Sequence, residues 1–301
     1  LARIFGLGHY AVSGVCTRGN FGNAMDASHG SQVGQSGAGM SAVLLVHDLH
    51  QHYGAVHALK GVSFEVASGE CVALIGPNGA GKSTCFACVA GQQQAKQGKV
   101  IWRNQSLLKV PAEGRRALGV ARTFQVAQVF EALSVFQNLQ LAFKAASGVS
   151  MLDTLDRCEL DKAANWLIKM GLDDLSPEAI HSPAMNLSYG AKKRLELAVA
   201  MAGLEEPSAG LLLLDEPAAG LSPSERADMM QRVKSLAKDG TTVLYTEHNM
   251  DAVFGVADRV MVLMEGRLVA QGKPQDVAAN ALVRERYLGT SLDALEFSSH
   301  A

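Results

Sequence analysis

Hydrophobic residues fall along this chain in short blocks whose spacing changes twice. Residues 43–46, 58–66, 71–75 and 98–102 are compact apolar runs separated by polar turns, and they read as strands. The first of these continues through 47–54 as a strand and its turn. Residues 120–125 form a further predicted strand, ending in Gln125. From about 130 to 201 the β pattern gives way to helical spacing. Helices are predicted over 132–145, 160–170 and 191–201, with breaks at Gly148, Gly171, Pro177 and Pro183. The β pattern then returns. Leu211-Leu212-Leu213-Leu214 is a strand apolar on both faces, as a parallel sheet between helices requires. Residues 224–237 form a helix and 242–246 a strand, and Glu247-His248-Asn249-Met250 begins another helix. Residues 260–264 and 268–271 pair as a hairpin around Glu265-Gly266. Strands and helices alternating around a helical block at about 126–205 predict an α/β fold: a largely parallel sheet with a helical insertion.

The chemistry begins where the strand 71–75 ends. Gly76-Pro77-Asn78-Gly79-Ala80-Gly81-Lys82-Ser83-Thr84 lies between that strand and a stretch, 85–90, that carries no helix breaker. Gly76, Gly79 and Gly81 let backbone N–H groups wrap around phosphates, and the following helix aims its positive end at the same point. Lys82 supplies a point charge for β- and γ-phosphates, and Ser83 a hydroxyl for Mg²⁺. Strand, glycine-rich loop and helix in that order imply a nucleoside triphosphate site. Asp215 and Glu216 follow the leucine strand, at the strand end where open α/β sheets place ligands. Asp215 is placed to orient Mg²⁺ through its water shell, and Glu216 to polarise an attacking water. His248 occupies another strand end, open to a ligand or a structural role. Tyr53, in the turn between the first strands, either stacks on a nucleobase or sits on the surface.

Composition narrows the class. The chain has 301 residues, 48% hydrophobic and 19% charged, enough for a sizeable core. Its 27 basic and 29 acidic residues argue against wide non-specific nucleic-acid binding, leaving a local patch open. Five cysteines lack disulfide-like spacing, and Cys85 and Cys88 read as small helix residues, which suits a reducing compartment. His47, His50, His52 and His57 come from a strand and its turn, and solvated positions are their default reading. Lys192, Lys193 and Arg194 read as a solvated helix face. No run of 18 apolar residues marks a membrane span.

With these residues in place, the chain resembles the ATP-binding cassette (ABC) family over about residues 42–289. The family's ordered motifs have counterparts here: an aromatic stacking residue (Tyr53), the P-loop (Gly76–Thr84), a strand-end glutamine (Gln125), a signature (Leu187-Ser188-Tyr189-Gly190-Ala191), Asp215-Glu216, a D-loop (Ala219-Gly220-Leu221-Ser222) and a switch histidine (His248). The resemblance implies a P-loop ABC ATPase domain at 40–289, with an antiparallel β subdomain and an α-helical subdomain. It implies ATP and Mg²⁺, with Ser83, Gln125 and Asp215 near the metal and Lys82, Gln125, Glu216 and His248 in hydrolysis. It also implies a homo- or heterodimer in which Ser188 and Gly190 reach the nucleotide of a facing cassette. Tyr189 and Ala191 depart from the usual Leu-Ser-Gly-Gly-Gln signature, and the D-loop lacks its usual Ala-Leu-Asp ending.

Arg122-Thr123-Phe124-Gln125, the Leu-Ser-Tyr-Gly signature, Pro217-Ala218-Ala219-Gly220-Leu221 and Arg286-Tyr287-Leu288-Gly289 are similar to ATPase subunits of branched-chain amino-acid importers. Urea or amide importers and lipopolysaccharide-export ATPases share some of these features. A soluble ABC protein acting on nucleic acid is the other reading. The importer resemblance implies permease subunits docked near Gln125–Asn138, a periplasmic or extracellular substrate-binding protein, no nucleic-acid partner, and a peripheral position on the cytoplasmic face of the inner membrane.

Residues 1–39, rich in Gly, Ser, Asn and Gln toward their end, are expected to be disordered or to lie upstream of a functional start at Met40, and 290–301 to form a tail. A chain starting at Met40 is expected to unfold cooperatively and to keep its ATPase activity. Loss of either in thermal melts and phosphate-release assays would overturn that start.

Overall fold

A computed structural model describes residues 42–147, 157–204 and 206–288. The expectations for residues 1–39 and 290–301 lie outside them. Two sheets carry the architecture. The smaller is antiparallel, in the order β2-β1-β4-β5, from β1 (Ala42–Tyr53), β2 (Val56–Ala67), β4 (Gln97–Trp102) and β5 (Gln105–Ser106). The larger has the order β10-β9-β3-β8-β7-β6. Its strands are β3 (Cys71–Ile75), β6 (Val120–Arg122), β7 (Leu211–Asp215), β8 (Thr242–Thr246), β9 (Arg259–Met264) and β10 (Arg267–Gly272). Five of these run parallel, and β10 returns antiparallel at one edge. Lys60 N–H donates to the Gly266 carbonyl at 2.8 Å, joining the two sheets.

Alternation along β7 shows why four leucines stand in a row. Leu211 and Leu213 pack with Val72, Leu74 and Leu244 against the antiparallel sheet and helix α1 (Lys82–Ala90). Leu212 and Leu214 face the opposite way, into a core shared with Val243, Tyr245 and Val262. Consecutive strand side chains point to opposite faces, so a strand covered on both sides needs apolar residues throughout. Cys85 and Cys88 are fully buried on α1 in the first of these cores, and burial pushes the Cys88 thiol up to about 11.

The helical block contains α2 (Val135–Ser147), α3 (Arg157–Lys169), α4 (Pro177–His181) and α5 (Tyr189–Ala202). Leu139 and Phe143 of α2, Leu167 of α3 and Leu195 of α5 belong to the second core. Ser188 caps α5, its hydroxyl accepting from Ala191 N–H at 3.2 Å. Beyond the block, α6 (Pro223–Lys238) opens with a capping box formed by Ser222 and Glu225. Buried Arg115 closes the other end of α1 by donating to the Cys88 and Val89 carbonyls.

Three local expectations change. The segment expected as a strand and its turn is one irregular strand to Tyr53, passing Asp48 at φ +48° and a register shift, so His47, His50 and His52 all sit on it. Strand β6 ends at Arg122 rather than at Gln125, because Phe124 N–H turns to the buried Glu196 carboxylate on α5 at 3.0 Å. Glu247 and His248 precede the next helix, α7 (Met250–Phe254), which Asn249 caps.

Leu213→Ala deletes a fully buried side chain in a central strand and should cost about 2–5 kcal/mol. Urea unfolding should show the midpoint fall with the slope unchanged.

Candidate functional site

Four strand ends converge on one edge of the large sheet because β3, β8, β7 and β6 run parallel and side by side. The edge borders a cleft of about 470 Å³ lined by Tyr53, Asn78–Thr84, Glu216, Thr246 and His248. His57 and Lys60 of β2 line it as well. Tyr53 is 48% exposed at the tip of the β1–β2 hairpin, within the same cleft as the glycine-rich loop.

Two glycines explain the loop's shape differently. At Gly76, with φ +147°, a Cβ would lie 2.0 Å from the Leu263 carbonyl oxygen, so only glycine fits against β9. At Gly79, with φ +78°, a Cβ would meet no atom within 4 Å. There the backbone curls around open space, as a phosphate cradle requires. Helix α1 starts at Lys82 after Gly81 with no side-chain cap, leaving its first N–H groups to a bound anion. Lys82 Nζ donates to the Gly76 and Pro77 carbonyls at 2.6 and 3.0 Å, accounting for two of its three donors. Burial lowers the Lys82 pKa, while the Glu216 and Asp215 carboxylates push it back up.

At the end of β7 the two carboxylates diverge. Asp215 Oδ1 accepts from the Thr246 hydroxyl at 2.8 Å and Oδ2 from Arg122 at 3.3 Å. Arg122 also bonds Gln92 and lies over the Phe124 ring, tying β6 to the end of α1. Glu216 sits at φ +48°, a left-handed conformation that costs a non-glycine residue roughly 1–3 kcal/mol. Its N–H is held by the Thr246 carbonyl and hydroxyl at 3.2 and 3.1 Å. That twist turns the side chain away from Asp215. Glu216 Oε2 accepts from Gln125 Nε2 at 2.9 Å, and Oε1 lies 2.8 Å from His248 Nε2. Three residues from three different strand ends thus form one chain beside the phosphate cradle.

Ser188 and Gly190 do not line this cleft; they open α5, where Ser188 caps the helix. The histidines His50 and His52 do not join it either: His50 pairs with Asp48 at 2.9 Å, and the His52 ring lies 5.6 Å from that of His57. Among the described residues, no three His, Cys, Asp or Glu side chains are arranged to hold a metal. Ser83 and Asp215 offer hard oxygen donors beside the loop, the donor type that suits Mg²⁺.

Several supporting residues escape sequence reading. Thr246 joins Asp215 to Glu216, and its only signal is a polar residue ending an apolar strand. Glu247, 4% exposed, accepts from Ala218 N–H at 2.9 Å and His248 N–H at 3.1 Å, fastening the loop after Glu216 to the histidine segment. Its position beside His248 was the available clue. Lys193 and Glu196 carry no local signal of these contacts, since their partners are distant in sequence.

Sheet, glycine cradle and inserted helices together define a P-loop nucleotide-binding cassette. The family model described as ABC transporter matches residues 59–219. The chain belongs to this family and is an ABC ATPase. It is 37% identical over 257 residues to the high-affinity branched-chain amino acid transport ATP-binding protein LivG of Escherichia coli, covering 82% of this chain and 98% of that one. Against BraF of Pseudomonas aeruginosa, of the same description, identity is 32% with the same coverage. The ADP conformation of MJ1267, an ATP-binding cassette of an ABC transporter, superposes with a TM-score of 0.71 at 28% identity, covering 83% of this chain and 99% of that one.

Thr246→Val should remove the bond to Asp215 and one of the two acceptors on Glu216 N–H. The expected result is a stability loss of about 1–3 kcal/mol with slower ATP hydrolysis. A variant matching the parent in both denaturation and turnover would contradict that role.

Proposed function

We propose that this chain is the ATP-hydrolysing subunit of an importer for branched-chain amino acids. The observation that carries the hydrolytic part is the Gln125–Glu216–His248 chain beside the glycine cradle. Tyr53 stacks on the base, the backbone of Gly76–Thr84 and Lys82 hold the phosphates, and Glu216 accepts the proton of an attacking water. Gln125 orients that water, and His248 holds Glu216 and contacts the γ-phosphate. Ser83, Gln125 and Asp215 would hold Mg²⁺, which would supply charge neutralisation at the phosphate oxygens. Asp215 is restrained by Thr246 and Arg122 through both oxygens, which suits contact through the metal's water shell.

The site is half of a pair. Ser188 and Gly190 lie outside the cleft, so they serve the nucleotide of a second cassette packed head to tail, with the start of α5 aimed at its γ-phosphate. Permease subunits dock beside the exposed Val126 and Phe130, in the segment between β6 and α2. No helix among the described residues is long and apolar enough to cross a membrane. As the ATPase of such an importer, the chain works as a peripheral subunit on the cytoplasmic face, with an external substrate-binding protein delivering the solute. The two relatives named for branched-chain amino acid transport support that solute over urea, amides or lipopolysaccharide. Nothing in the described chain suggests the coiled-coil insertion or second cassette of soluble ABC proteins that act on nucleic acid.

Glu216→Gln should slow hydrolysis about 10²–10³-fold while leaving an ATP-dependent dimer detectable by light scattering. Rapid turnover in that variant would overturn the base assignment. Vesicles carrying the chain with its permease should take up leucine on ATP addition; uptake of urea alone would overturn the solute.

A further inference from the structure

Lys193 and Glu196, one turn apart on α5, are buried to 3% and 4% exposure although both are charged. Burying charge is costly unless every charged group finds partners. Here the partners are not another helix but the short segment that follows β6. Lys193 Nζ donates to the Phe124 and Gln125 carbonyls at 3.0 and 2.5 Å. Glu196 accepts from the Phe124 N–H at 3.0 Å and from the Gln128 backbone. The Tyr189 hydroxyl, at the head of the same helix, donates to the Gln125 carbonyl at 3.4 Å. The Tyr189 ring lies against Gly220, where an added Cβ would sit 3.1 Å from Cε1. One face of α5 therefore grips the backbone of Gln125 on both sides, and the Gln125 side chain is the group bonded to Glu216 at 2.9 Å.

We propose that Tyr189, Lys193 and Glu196 form a positioning bracket that locks the Gln125 segment to α5. Through it, the helix whose N-terminus faces the partner cassette's nucleotide sets where this chain's own Gln125 carboxamide meets Glu216. The bracket gives a physical route between the two sites of the dimer. Contact of Ser188 and Gly190 with the partner's phosphate fixes α5, and α5 carries Gln125 with it as one body. It also gives Tyr189 a role at the place where the signature departs from glycine. The ring fills the gap between the signature and Gly220 that a glycine would leave open, and its hydroxyl makes Tyr189 the third residue of α5 bonded to the Gln125 segment. This inference rests on the head-to-tail arrangement proposed above.

Removing Lys193 alone would strand the buried Glu196, so the informative variant is Lys193→Met/Glu196→Leu, which removes both charges together. With full-length protein, ATP KM and melting temperature should stay close to the parent while kcat falls about tenfold or more, as expected when a catalytic group is displaced without loss of binding. Lys193→Arg, which keeps donors for both carbonyls, should retain kcat within about threefold. A folded double variant with unchanged kcat would overturn the bracket, and so would a KM that rises in step with the loss of kcat. The ATP-dependent dimer of Glu216→Gln, measured with and without the double substitution, reads the arrangement separately. Its absence in Glu216→Gln alone removes the head-to-tail arrangement. Its loss only on adding the double substitution assigns the bracket to assembly rather than to positioning, and overturns it.

Discussion

The site depends on the parallel register of β3, β8, β7 and β6. Because these strands run the same way, four sequence-distant ends emerge at one edge of the sheet. The glycine loop leaves β3, Asp215-Glu216 leaves β7, Thr246 ends β8, and Gln125 lies three residues past β6. Antiparallel pairing at any of these strands would send one member to the opposite edge. The parallel pairing needs covered faces, since the crossover helices lie on both sides of such a sheet. The apolar runs of β3, β7 and β8 therefore serve the chemistry indirectly, by making this arrangement the stable one.

Within that frame, Glu216 shows how a local cost is supported by its neighbours. A strand continuing in ordinary β geometry would send Asp215 and Glu216 to opposite faces. The left-handed turn at Glu216 brings its carboxylate between Gln125 and His248 instead. Thr246 supplies two acceptors to the Glu216 N–H and a donor to Asp215, and Glu247 binds the chain two residues further on. The end of β8 thus restrains the end of β7 at three points. Such redundancy is what strained backbone at a working site requires.

The legible and illegible parts of the sequence divide along physical lines. Residues 71–90 were readable because a strand, a glycine-rich loop and a helix start are written in consecutive positions, and each element has a local cause. The strand 242–246 was readable to the residue, since its apolar run is bounded by Gly240 and Glu247. Gln125 was placed on a strand because 120–125 is a plausible β run. The structure ends the strand earlier because Glu196, 72 residues beyond Phe124, captures the Phe124 N–H. Lys193 was read with its neighbours as part of a solvated face, and it is buried. In each failure the deciding partner is a single polar group far away in sequence. Periodicity carries no information about such pairings.

Buried charge marks the same joints. Lys82, Lys193, Glu196 and Glu247 are all under 9% exposed, and each bonds to backbone groups of a loop rather than to an opposite charge alone. Burial lowers the pKa of both lysines and raises that of Glu196, in every case opposing the charged form. A packed apolar contact would hold these loops at less cost but with less geometric definition. A backbone carbonyl bonded to an ammonium is fixed in both distance and direction. The loops so held are the glycine-rich loop, the segment after β6 and the chain after Glu216. Ser188 and Gly190, which the resemblance assigns to a nucleotide, do not line the cleft that contains the glycine cradle; Ser188 instead caps α5.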